Sequence, residues 1–62
     1  MIDFYVKILN ELRGFKILGG VKDRGEEFFG LKVEKNGDAK VIWFLMDDEG
    51  NGPGSFEIQE LN

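Results

Sequence analysis

Cysteine and histidine are both missing from this 62-residue chain. No disulfide can staple the fold, and neither thiolate nor imidazole is on hand for a structural zinc site. The usual general base and the strongest nucleophile are gone too. Threonine is absent, and the one serine, Ser55, stands beside Glu57 in sequence only as Ser-Phe-Glu. It reads as a strand start, with no oxyanion-stabilising set around it. Glu26-Glu27 and Asp47-Asp48-Glu49 are paired carboxylates of the type acid–base chemistry uses. A substrate pocket, however, is hard to carve from so small a core. Gly50-x-Gly52-x-Gly54 lacks the lysine and helix of a phosphate loop. The expectation is a non-enzymatic protein with no organic cofactor.

Long apolar runs are scarce as well. None approaches the roughly 18 residues of a membrane span. Met1-Ile-Asp-Phe-Tyr-Val6 has an acid and no basic cluster ahead of its apolar residues, unlike a signal peptide. A cytoplasmic location is therefore expected. Basic clusters are also lacking: 8 Lys and Arg stand against 12 Asp and Glu, interleaved, for a net charge of −4. Direct binding of nucleic acid or anionic membrane demands clustered Lys and Arg, so neither is expected.

What remains is enough for one small domain. A chain of this size buries roughly 60% of its unfolded surface and reaches about 3–9 kcal/mol of stability. Without staples, such chains often gain stability by association.

The pattern along the chain is helix first, strands after. Ile2, Tyr5, Val6, Leu9 and Leu12 follow the spacing of one buried helical stripe, predicting a helix over residues 2–13. Asp3 and Arg13 match the helix dipole, and Gly14 suits the left-handed position past the end. Strands are expected over 15–22, 27–35, 39–46 and 55–60, with a bulge or bend at Gly19-Gly20 and a turn at Asp23-Arg-Gly-Glu26. The fold class expected is α+β: an N-terminal helix packed on a twisted four-stranded antiparallel meander, in the order α-β-β-β-β.

Asn36-Gly37 predicts a type I′ turn. A two-residue turn here puts Lys35 opposite Asp38, Leu31 opposite Ile42 and Trp43 opposite Gly30. One hairpin face then holds Phe29, Leu31, Val33, Ile42, Phe44 and Met46. The other holds Phe28, Gly30, Lys32, Glu34, Ala39, Val41, Trp43 and Leu45. A three-residue turn would swap the third strand's two sets. Either way both faces are apolar, and one helix covers only one. Phe15, Ile17 and Val21 from the first strand and Phe56 and Ile58 from the last are assigned to the helix-covered side. For the second face two outcomes compete: strong curling into a barrel-like core, or a contact surface. Phe28, Val41, Trp43 and Leu45 are the candidate partner-binding residues, for a second copy in a homodimer or for another protein. Trp is enriched at such interfaces.

The segment Asp47-Asp-Glu-Gly-Asn-Gly-Pro-Gly54 offers oxygen ligands that suit hard cations. Asp47, Asp48, Glu49 and Asn51 are the candidate metal residues, with Ca²⁺ as the cation. Position 12 of the calcium-loop pattern, however, is Ile58 rather than a bidentate Glu, and the flanks read as strands. The alternative is a rigid connection in which Gly50, Gly52 and Gly54 allow positive φ and Pro53 stiffens the return. A third reading has the loop present its backbone and acids to a basic or polar partner.

This loop and the Leu12-Arg-Gly-Phe-Lys-Ile-Leu-Gly-Gly-Val21 stretch together resemble short uncharacterised bacterial and phage-associated proteins. Those share an opening strand of this type and an acidic E-G-N-G-P-G turn near the C-terminus. The resemblance implies a shared fold, with no chemistry attached.

Overall fold

The structure, a computed structural model, describes residues 2–45 and 54–61. Helix α1 (Ile2–Asn10) precedes strands β1 (Lys16–Lys22), β2 (Phe29–Lys35), β3 (Asp38–Phe44) and β4 (Phe56–Glu60). The strands form one antiparallel sheet in the order β1-β2-β3-β4. This is the expected α+β architecture. The sheet is open, with β1 and β4 at its two edges, so the described residues form no closed barrel.

The central hairpin has the two-residue register. Asn36 and Gly37 have φ of 52° and 82°, the pair of positive angles a type I′ turn requires. Lys35 pairs with Asp38, Leu31 with Ile42, Gly30 with Trp43 and Phe29 with Phe44.

The helix is shorter than its apolar spacing implies. After Asn10 the chain tightens into three-residue hydrogen bonds, Glu11 N to Ile8 O, Leu12 N to Leu9 O and Arg13 N to Asn10 O. Such turns satisfy the carbonyls that a helix end leaves open. Gly14 follows at φ 85°, and Lys35 Nζ donates to Arg13 O at 3.5 Å.

The helix lies across the face carrying Ile42, Phe56 and Ile58. Tyr5 meets the Phe56 ring at 5.3 Å, and Ile8 and Leu12 share a cleft with Phe15, Lys40 and Ile58. The residues turned to the sheet are thus Tyr5, Ile8 and Leu12. The expected stripe is corrected: Ile2, Val6 and Leu9 are exposed. The apolar arc exceeds half the helix circumference, so spacing alone does not fix its centre.

A second correction concerns β1. Ile17 pairs with Val33, and Gly19 with Lys32, leaving Leu18 as an extra residue. This bulge reverses the alternation. Ile17 stays on the helix side, while Val21 pairs with Gly30 and moves to the outer face. The bulge is where Gly19-Gly20 places it, but the three first-strand residues do not share a side.

The β1–β2 connection is also longer than a four-residue turn. Asp23 Oδ1 accepts the N–H groups of Glu27 and Phe28 at 2.8 and 2.9 Å. Asp23 N donates to Phe28 O, and Glu26 N to Asp23 O. Asp23 N to Phe28 O continues the register by one pair, but the Glu27 and Phe28 N–H groups go to the Asp23 side chain, and the ladder proper starts at Phe29.

The core is small. Val33, Val41 and Ile42 are its buried hydrophobic residues, each 8% exposed or less. Among the described residues, no helix is long and apolar enough to cross a membrane.

Candidate functional site

A nine-residue helix is about 13.5 Å long and roughly 10 Å wide. Strands lie about 4.8 Å apart, so the helix shields about two of the four. It runs from Phe56 on β4 toward the Lys35–Asp38 end of the central hairpin. On the β1–β2 half of the same face Val33 is buried and Leu31 half-buried, while Ile17 and Phe29 are left open. Ile17 is 63% and Phe29 61% exposed. The Phe29 and Phe44 rings meet at 5.7 Å, and Phe44 is exposed as well. These sheet positions read from sequence as helix-covered are therefore largely bare.

The helix has an open flank on the same side. With the helix rising along β3–β4 and Tyr5, Ile8 and Leu12 facing the sheet, its right-handed screw turns Leu9, Ile2 and Val6 toward β2 and β1. Phe4, also exposed, points the other way, past β4. Ile2, Val6 and Leu9 on the helix and Ile17, Phe29 and Phe44 on the sheet are all exposed, and the screw of the helix turns the first set toward the side that carries the second. Sequence reasoning missed this exposure. The available signal was the length of the helix set against the width of four strands.

The outer face is built around Trp43. Its place opposite Gly30 gives the ring a partner with no side chain. The indole N–H donates to Gln59 Oε1 at 2.8 Å, which fixes the ring's orientation. Of the four candidate contact residues, Val41 is buried at 5% exposure, Trp43 and Leu45 are half-buried, and Phe28 is 40% exposed. Phe28, Trp43 and Leu45 come together in a shallow cleft of about 420 Å³ whose other lining residues are Asp23 and Glu57. Val41 lies in the same ladder between Lys32 and Gln59 and forms floor rather than rim. The N–H bond from Phe28 holds the Asp23 carboxyl below its ordinary range against a smaller opposing effect of burial, and the Glu27 N–H adds to it. The same bonds anchor Phe28 at the cleft wall. Leu45 is anchored by its N–H to Ser55 O at 2.7 Å.

A second cleft, of about 620 Å³, lies under the helix end. Lys40 and Leu12 both line it, with Lys40 paired with Glu60 and, at 3.5 Å, with Asp38. Its Nζ lies 5.9 Å from the Phe15 ring centre. The Glu60 hydrogen bond raises the Lys40 pKa, and Asp38 adds to the effect. This cluster ties the hairpin to β4.

Asp47, Asp48, Glu49 and Asn51 lie outside the described residues. Among the described residues, no group of three or more acids could hold a metal ion. Ser55 sits at the entry to β4, and Glu26 pairs with Lys22 on the surface. Comparison with protein-family models, with curated proteins and with solved structures finds no match to this chain.

Proposed function

We propose that this protein is a non-enzymatic, cytoplasmic interaction module that pairs with a second copy of itself and presents its outer face to a protein partner. The single observation carrying the reading is the open half of the helix-bearing face. Ile17, Phe29 and Phe44 are exposed on it, and Ile2, Val6 and Leu9 are exposed on the helix beside it, 38% to 72% each. At roughly 150–200 Å² for a side chain of this size, they leave about 500 Å² of apolar surface bare. That matches the largest patches monomers carry and is a large share of the roughly 800 Å² each partner buries in a stable complex. A small, staple-free core adds a stability motive for covering it.

A second copy fits better than a nucleic acid, because the patch is uncharged and the chain is acidic. A small inhibitor or accessory factor of mobile-element origin is the specific form of this reading.

Sedimentation across micromolar to millimolar concentration tests the pairing. The wild type is expected to shift from monomer to dimer, while Phe29→Asp and Ile17→Asp remain monomeric with unchanged circular dichroism. A wild type that stays monomeric at millimolar concentration would refute it.

A further inference from the structure

The outer-face cleft combines aromatic walls with charge of one sign. Among the described residues, Phe28, Trp43 and Leu45 supply its apolar lining, Asp23 and Glu57 are its ionisable lining residues, and no lysine or arginine lines it. Glu57 faces Trp43 directly across β3–β4. It is exposed and makes no ion pair among the described residues. Asp23 is held as an anion by two backbone N–H groups. The nearest basic residue on this face in the ladder, Lys32, pairs with Gly19 and Val41, one step beyond the Gly30–Trp43 pair.

Two ring systems beside two carboxylates is the environment a guanidinium prefers. That group is planar and weakly hydrated, stacks on aromatic faces and donates to carboxylates in a fork. The indole, tethered at its N–H by Gln59, presents a fixed ring for such stacking. A purely apolar ligand would leave the Glu57 carboxylate without a partner, and an acidic one would be repelled by both acids. We propose that the Phe28–Trp43 cleft receives an arginine side chain from a partner protein, between the aromatic walls and the Asp23 and Glu57 carboxylates. The inference rests on the outer face being a protein-contact surface and is independent of self-pairing across the helix-bearing face.

The test is nuclear magnetic resonance of the isotope-labelled full chain with capped Gly-Gly-Xaa-Gly-Gly peptides in which Xaa is arginine, lysine or norleucine. The arginine peptide is expected to shift the Trp43 indole N–H and the Phe28 and Glu57 amides at millimolar concentration, several-fold more tightly than either other peptide. Glu57→Gln weakens it by about threefold, and Phe28→Leu by a similar factor, with the chemical shifts of distant residues unchanged. Equal binding of the lysine peptide would overturn the guanidinium assignment. Equal binding of the norleucine peptide would overturn charge recognition while leaving the outer face as an apolar contact surface. No response to any of the three removes both the cleft and the outer-face reading.

Discussion

Gly30 and Trp43 face each other across β2 and β3 at a separation that admits no side chain on the glycine. A Cβ placed on Gly30 would lie 2.2 Å from Ile42 O and 3.1 Å from Trp43 Cα. Both obstacles are backbone, so neither can swing away. Gly30→Ala is therefore expected to push the strands apart and to cost about 1–3 kcal/mol, as overpacking does. Chemical denaturation measures the loss, and a variant as stable as the wild type would contradict the close approach.

Gly37 gives a contrasting case. Its φ is 82°, and the space around it is open, with nothing within 4 Å of an added Cβ. Gly37→Ala meets no clash and suffers only the left-handed backbone penalty, about 1 kcal/mol. Asn36→Pro, which forbids the observed φ of 52°, is expected to disrupt the hairpin far more. The two midpoints in urea separate backbone strain from packing.

Burial sets a third comparison. Ile42 is buried in the centre of the sheet and Ile17 is largely bare. Measured at concentrations where the chain is monomeric, Ile42→Ala is expected to lose about 2–5 kcal/mol. Ile17→Ala should stay within about 0.5 kcal/mol of the wild type. Comparable losses at both sites would mean that Ile17 is covered in solution.

The pH dependence has two limbs of opposite sign. Asp23 is depressed from 3.8 in the folded chain, chiefly by the Phe28 N–H. Its contribution is therefore complete above about pH 4 and is lost as pH falls through the lowered value. Lys40 is raised from 10.5, chiefly by Glu60. Its contribution is complete below the ordinary lysine value and fades as pH rises through the higher one. Thermal midpoints should be flat through the neutral range and decline at both extremes. Asp23→Ala should flatten the acid limb in part, and Lys40→Met the alkaline one.

Asn36-Gly37 made the hairpin readable from sequence, because a pair of positive φ angles belongs to few residues, and of the two registers left open the two-residue one is found. Gly19-Gly20 likewise marked the bulge. Its effect on Val21 was not readable: an irregularity one residue earlier or later sends that side chain to the opposite side. The helix stripe was ambiguous for a different reason. Tyr5, Val6, Ile8, Leu9 and Leu12 are all apolar, and only docking on Phe56 and Ile58 selects among them. Trp43 was placed correctly on the outer face by the register. The cleft that it forms with Asp23 was not foreseen, since it depends on the Asp23 carboxylate capping the Glu27 and Phe28 N–H groups.

The extra residue at Leu18 also bears on how the protein behaves when crowded. Boundary strands with unpaired backbone groups invite neighbouring chains to add on end over end, the first step toward fibrils. A kink in β1 interrupts its run of outward N–H and C=O groups, and β4 is only five residues long, so neither margin offers a long flat template. Assembly is thereby steered away from open-ended stacking and toward contacts made by side chains, which can close on themselves and stop.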